Sequence, residues 1–285
     1  MKFTKELLEH LKDSGHGVCV FSNHLVKLLS KISPKSFDDF SLRSYYFWRN
    51  QERSIPMGVV IEIMTRKNLK VLEIEYFSIK NGNKIKFPKY ENDAFCYFLG
   101  VILGDGCLVH SVRGKRNSWH VQITTNSKEK GDYFTELAWK LFEIKTTVYF
   151  SRNCYKVCIF SKPLSMILAS KYEIPIGLKY ETIKVPEVVK SRLSWKKSFI
   201  KGVFECDGNI YNYRGKKSVQ LRQKSRRFLV DVREICGDVG IFFHEPYYDK
   251  ANNSWVLWTC KKSVVDNFIK KISAFKIKAP VTQPG

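Results

Sequence analysis

Phe98-Leu99-Gly100-Val101-Ile102-Leu103-Gly104-Asp105-Gly106 and Ile200-Lys201-Gly202-Val203-Phe204-Glu205-Cys206-Asp207-Gly208 are two copies of one pattern. Each is an apolar stretch with small residues four apart (Gly100/Gly104 and Gly202/Cys206) that ends in Asp-Gly. Residues four apart share one face of a helix, so each pair opens a strip along which a second helix can approach closely. Asp-Gly suits a helix C-terminus, where glycine accepts the left-handed conformation. Each feature alone reads as ordinary core packing or an ordinary helix end. Together, and twice, they predict two helices packed side by side, with Asp105 and Asp207 emerging at the same end.

An aspartate at that end meets the negative pole of the helix dipole, which costs about 0.3–1 kcal/mol, and a second carboxylate nearby adds repulsion. Divalent cations reverse both effects. Asp105, Asp207 and the carbonyls of Gly104 and Cys206 are oxygen donors of the kind Mg2+ takes together with waters and phosphate oxygens. On a phosphodiester, such ions activate water and neutralise the leaving oxygen.

Outward from each motif the same order of elements recurs. After Asp105 come a strand (Cys107–Arg113), a basic turn (Arg113-Gly114-Lys115-Arg116) and an alternating strand, Trp119–Asn126. In that strand Val121 and Ile123 point one way, and His120, Gln122 and Thr124 the other. An amphipathic helix over 128–143, strands at Thr146–Phe150 and Tyr155–Phe160, and a helix from Lys162 complete the set. After Asp207 the order returns: a strand Asn209–Tyr213, the turn Arg214-Gly215-Lys216-Lys217, a strand Ser218–Lys224, a helix Arg226–Val239, strands Ile241–Pro246 and Trp255–Cys260, and a last helix near Ser263. Each half is therefore αββαββα, and the matched basic turns argue for internal duplication. The outward strand faces, Val109, Ser111, Arg113, His120, Gln122 and Thr124 in one half and Tyr211, Tyr213, Gln220, Arg222 and Lys224 in the other, carry basic and amide groups without acids. Long polar side chains on a β-ribbon reach base edges in a major groove. The basic turn residues Lys115, Arg116, Arg214 and Lys216 extend these faces.

The composition points the same way. The 285 residues carry 49 Lys+Arg against 27 Asp+Glu, a formal charge of +22, which marks a polyanion partner, here nucleic acid. With 44% hydrophobic residues the chain fills packed cores. No apolar run spans a bilayer and no export signal opens the chain, so no membrane contact is expected. The expected setting is the cytoplasm of a prokaryote, at the nucleoid, and the expected state a monomer. The eight cysteines are scattered, with no zinc-type spacing, and read as reduced thiols.

Residues 1–85 read as a separate all-α domain: helices at Thr4–Leu11, after a Ser22 cap, at Ser41–Trp48 and at Met57–Met64 behind Pro56. The basic, aromatic third helix, followed by Arg49 and Arg53, resembles a helix-turn-helix DNA-binding domain, which would dock that helix in a major groove. A helical bundle with a solvated basic face is the alternative. Lys80–Pro88 reads as a linker.

The doubled motif resembles the LAGLIDADG homing endonuclease family in its single-chain, two-motif form, over roughly residues 92–285. Leu103 stands where that family commonly has an acid, and Glu205 restores it in the second copy. The resemblance implies an α+β fold of two pseudo-symmetric halves, 92–190 and 195–285, forming a saddle over double-stranded DNA. The motif helices form the interface, with Asp105 and Asp207 binding two or three Mg2+ ions at the scissile phosphates. The implied activity is a double-strand break with short 3′ overhangs at an intron insertion site. Gln223-Lys224-Ser225-Arg226-Arg227 resembles the family's Gln-Lys-Thr-x-Arg stretch, which makes Gln223 and Arg227 candidates for ordering water around the metals. The first half reads Thr125-Asn126-Ser127 there, so the two half-sites are expected to be unequal. Lys179 resembles the basic residue that polarises attacking water, or is a plain surface lysine; Lys276 or Lys278 is its counterpart. A DNA-binding regulator that lost cleavage, or an intron RNA maturase, would use the same fold. Retention of both aspartates counts against the regulator, and an intein is not expected.

Overall fold

The computed structural model describes residues 2–13, 17–34, 37, 41–79, 84–113, 116–179, 182–213 and 215–272. Its N-terminal unit runs β1 (Lys2–Thr4), α1 (Lys5–Asp13), β2 (Val18–Phe21), α2 (Asn23–Leu29), α3 (Leu42–Arg49), β3 (Ile55–Pro56), α4 (Met57–Arg66), β4 (Val71–Glu73), β5 (Tyr76–Ile79) and β6 (Ile85–Lys86). The helices follow their sequence signals. Ser22 caps α2 through the Leu25 N–H, Ser41 caps α3 through the Ser44 N–H, and Pro56 precedes α4.

The all-α, helix-turn-helix-like reading of residues 1–85 is corrected here. The unit holds an antiparallel sheet of order β3-β2-β5-β6 and a β1–β4 pair. Residues 30–41 separate α2 from α3, far more than a tight helix-turn-helix connection. Val18-Cys19-Val20-Phe21 and Tyr76-Phe77-Ser78-Ile79 are β-branched and aromatic runs that pair across more than fifty residues, an arrangement local periodicity does not reveal. The expected linker is corrected too. Phe77 pairs with Ile85 in β6, and Phe87, 2% exposed, packs its ring on Phe3, Phe77 and Phe142. With the Lys86–Glu143 ion pair (2.6 Å) this joins the unit to the first half through one continuous core.

The first half is α5 (Asp93–Leu103), β7 (Gly106–Arg113), β8 (Arg116–Thr125), α6 (Lys128–Phe142), β9 (Thr147–Ser151), β10 (Cys154–Phe160) and α7 (Lys162–Tyr172). After a short α8 (Glu187–Lys190), the second is α9 (Leu193–Asp207), β11 (Gly208–Tyr213), β12 (Lys216–Gln223), α10 (Arg226–Asp238), β13 (Tyr247–Asp249), β14 (Ser254–Thr259) and α11 (Lys262–Ile272). Both halves are αββαββα, and their sheets have the same strand order, β7-β8-β10-β9 and β11-β12-β14-β13. Pairing of Gly106 with Ile123 and of Gly208 with Leu221 sets the same register after each motif. One strand differs from expectation. Residues 241–246 are irregular, with Ile241 and Phe243 buried, and the edge strand is Tyr247–Asp249. Among the described residues no helix is long and apolar enough to cross a membrane.

α5 and α9 pack against each other through their glycines. Every residue of α5 from Phe95 to Leu103 is buried. A Cβ on Gly100 would overlap the Phe199 carbonyl oxygen and lie 3.0 Å from the Val203 nitrogen; one on Gly202 would overlap the Tyr97 carbonyl oxygen and lie 3.0 Å from the Val101 nitrogen. Backbone meets backbone, so no rotamer change can make room. Gly202→Ala is therefore expected to destabilise the chain by about 3 kcal/mol in urea unfolding. Gly58→Ala, on open α4 surface where the nearest atom is Lys12 Cε at 4.0 Å, is expected to stabilise by up to about 1 kcal/mol.

Candidate active site

The helix pair brings the C-terminal ends of α5 and α9 together. Asp105 is exposed just beyond α5, and Asp207 is the half-buried last residue of α9. A Cβ on Gly104 would lie 3.2 Å from Asp207 Oδ2, so the second carboxylate sits against the end of the first helix. Cys206, at the position equivalent to Gly104, directs its thiol to the Val101 carbonyl at 3.7 Å.

Two predicted side chains join this cluster. Gln223, the last residue of β12, donates from Nε2 to Asp207 Oδ2 at 2.6 Å, with a longer contact to the Leu103 carbonyl at 3.5 Å. Its Oε1 accepts from the Lys224 N–H at 3.2 Å, which orients the amide. Lys179 arrives on a segment that runs beside β7: Ile176 bridges Leu108, and the Gly177 N–H bonds the Leu108 carbonyl at 2.8 Å. Its Nζ donates to the carbonyls of Ile102 and Leu103, both at 2.9 Å, and to that of Gly104. It thus caps the negative end of α5. Burial lowers the Lys179 pKa from its ordinary value, while the negative charges of Asp207 and Asp105 work in the opposite direction. Both carboxylates therefore act on one half-buried ammonium held by three carbonyls, so Lys179 is not a plain surface lysine.

The halves differ where unequal half-sites were expected. Ser127 caps α6 and Ser225 caps α10, each through the N–H three residues on, so the backbones are equivalent. Thr125 occupies the position of Gln223. It is 7% exposed, and its hydroxyl accepts from the Ser127 N–H at 3.2 Å. Arg227, expected beside Gln223, lies exposed in the first turn of α10 and joins none of these bonds. Lys276 and Lys278 lie outside the described residues.

The donor set fits a hard cation. It consists of two carboxylates and main-chain carbonyls, and among the described residues no group of three His, Cys, Asp or Glu side chains converges.

Strand register places Val109, Ser111, His120, Gln122 and Thr124 on one sheet face, since Val109 pairs His120 and Ser111 pairs Ser118. The same face continues through Lys156, opposite Thr124, to Tyr149, neither of which the β7–β8 alternation points to. Arg113 and Arg116 pair at the hairpin end, whereas Lys115 and Arg214 lie outside the described residues. In the second half Tyr211, Gln220 and Arg222 share a face, with Tyr213 paired to the exposed Lys216.

Three corrections apply there. The face is not free of acids: Asp249 of β13 holds Arg222 at 2.6 Å, and that guanidinium lowers the Asp249 carboxyl below its ordinary value. Gln220 is only 8% exposed, and Tyr211 accepts from Trp258 Nε1 at 3.1 Å. Lys224 lies past the end of β12, exposed beside the α10 cap. Sequence reasoning also missed Lys130, whose Nζ reaches across from α6 to the Glu205 carbonyl at 3.3 Å near the end of α9. Glu205 itself is buried at 3% exposure and accepts from the Tyr97 hydroxyl inside the interface. Replacing Lys179 by Met removes the donor from three α5 carbonyls and is expected to cost about 1–3 kcal/mol in urea unfolding.

Residues 194–273 match the family described as LAGLIDADG-like domain. Over 164 residues the chain is 29% identical to a subunit of the A-type ATP synthase of Pyrococcus abyssi, a match covering 57% of this chain and 15% of that protein. Over 171 residues it is 23% identical to Probable cell division protein WhiA of Lactococcus lactis, covering 57% of this chain and 54% of that one. The chain thus spans about half of the latter and a small part of the former. Among solved structures, mesophilic variants of the homing endonuclease I-DmoI superpose with a TM-score of 0.52 at 18% identity, over 65% of this chain and 97% of theirs. I-DmoI in complex with DNA and Ca gives 0.52 at 19%, over 65% and 91%. I-DmoI in complex with DNA and Mn gives 0.50 at 20%, over 63% and 96%. The two halves built on α5 and α9 share their fold with the homing endonuclease I-DmoI, and the second half matches the LAGLIDADG-like domain model.

Proposed function

We propose that this chain is a site-specific DNA endonuclease that hydrolyses one phosphodiester on each strand of a double-stranded target, leaving short 3′ overhangs at an intron insertion site. The observation that carries this reading is the convergence of Asp105, Asp207, Gln223 and Lys179 at the paired ends of α5 and α9. The homing endonuclease I-DmoI, which shares the fold, has been solved with DNA and Mn and with DNA and Ca. That, with the donor set and the charge of +22, supports DNA as partner and a divalent cation, Mg2+, as cofactor.

Asp105, Asp207 and the Gly104 and Cys206 carbonyls would hold the ions. When bound, these supply Lewis-acid activation of water and neutralisation of the leaving oxygen. Asp207 orients the Gln223 amide, which in turn orders solvent on its own side of the interface. Lys179 balances the two carboxylates at the end of α5. The two sheet faces run over the major groove, with Arg222 pre-set by Asp249.

A second reading is a non-cleaving DNA-binding regulator, favoured by the likeness to a cell-division protein over 57% of this chain. Retention of both aspartates, one held by Gln223, counts against it. An intron RNA maturase on the same fold leaves no mark among these residues.

The test starts by selecting the bound site from a random duplex pool, then incubating that site with Mg2+. Wild type is expected to cut both strands, with the strand addressed from the Asp105 half cut more slowly because Thr125 replaces Gln223. Asp105→Asn and Asp207→Asn are each expected to lower the rate by about two orders of magnitude while still binding. A tightly bound duplex left intact in Mg2+ would favour the regulator.

A further inference from the structure

Helix α3 and the turn after it form an exposed basic and aromatic surface that the proposed saddle does not use. Tyr45 and Trp48 are buried, and the Tyr45 hydroxyl donates to the carbonyls of Leu29 (3.0 Å) and Ile32 (3.1 Å), which anchors α3 on the end of α2. Arg43, Tyr46, Phe47 and Asn50 then follow at helical spacing along the outer side. Arg43 Cζ lies 5.4 Å from the Phe47 ring centroid and Arg53 Cζ 4.2 Å from it. Such contacts hold guanidinium groups in place while leaving their N–H edges for a ligand.

Arg53 reaches the ring through a tight reversal. Gln51 takes a φ of 60°, and the N–H groups of Glu52 (2.9 Å) and Arg53 (3.3 Å) both bond the Phe47 carbonyl. A left-handed conformation is unfavourable for a residue other than glycine. Here the Gln51 side chain is tied to Asn23 Oδ1 at 2.8 Å, and the turn is held. Tyr46 is 51% exposed, and Arg43, Arg49 and Arg53 enter none of the ion pairs among the described residues. Glu52 is the lone acid between residues 41 and 53, and it accepts from Asn50. Phe87 shares the cores of this unit and the first half, so the surface keeps a fixed position relative to the halves.

We propose that this face of α3 binds the phosphate backbone of duplex DNA, outside the stretch covered by the two halves. Charge complementarity selects a polyanion, and guanidinium groups held at set positions suit the regular phosphates of a duplex. The contact would lengthen the footprint and add affinity without adding sequence information. The inference rests on the reading that the halves themselves bind DNA.

The test uses the full chain, a long duplex that carries the site selected from the random pool, and a duplex of that site only as long as the halves cover. The double variant Arg43→Gln/Arg53→Gln is expected to reduce the salt slope on the long duplex by about 2, and Arg49→Glu by about 1 or more. Each should shorten the footprint at one end and leave the short duplex unaffected. Unchanged slope and footprint in folded variants would overturn the proposal. If the double variant melts early, Arg49→Glu, which does not stack on Phe47, decides alone in the same way. Loss of binding to a structured RNA with DNA binding unchanged would also overturn it. Failure of wild type to bind the short duplex would instead sink the DNA-binding reading of the halves.

Discussion

The contact of backbone on backbone at Gly100 and Gly202 is the constraint on which the rest depends. Two helices that met through larger side chains would stand farther apart, and their C-terminal ends would not share one locus. Because they meet at glycine, Asp207 lies against Gly104 and both carboxylates act on Lys179. Packing and chemistry are thus one requirement. The concentration of negative charge this creates, two aspartates at two negative dipole ends, is offset in part by Lys179 on α5 and by Lys130 near the end of α9. A cation between the carboxylates would complete the balance.

From this seam each half is the same machine built twice, with unequal details. The serine caps of α6 and α10 and the strand order are shared, so the backbones superpose in role. The side chains diverge at Thr125 and Gln223: one is spent on a local turn, the other reaches the carboxylate. Arg222 likewise has a fixed partner in Asp249, while the corresponding strand of the first half presents Thr124. Two-site chemistry on a duplex does not require identical sites, and this chain departs from identity where the reacting groups would lie.

The repeat was legible because its signals are local. Small residues four apart, Asp-Gly ends, serine caps and alternating strands each span a few residues, and their double occurrence told the halves apart from chance. The sheet of the N-terminal unit was not legible. Val18–Phe21 pairs with Tyr76–Ile79, and nothing in either run names its partner. Two local pairings were missed for other reasons: β6 pairs with nearby β5 from inside a polar, turn-rich stretch, and Asp249 lies on a strand that was expected at Ile241–Pro246. Gln223 and Lys179 were reached through resemblance to a family motif, and the structure brings both to the helix ends. Arg227, reached in the same way, is exposed in the first turn of α10 and takes no part in those bonds.

The most direct measurement of the central account is the position of a bound divalent cation. Crystals of the protein with a bound duplex, grown in Mn2+, would show it as an anomalous difference peak. The account predicts density between the Asp105 and Asp207 carboxylates, within oxygen-ligand distance of both or of one each, and its loss in the Asp105→Asn/Asp207→Asn protein. Density elsewhere, or a duplex bound across the two halves with no ion at the ends of α5 and α9, would contradict it.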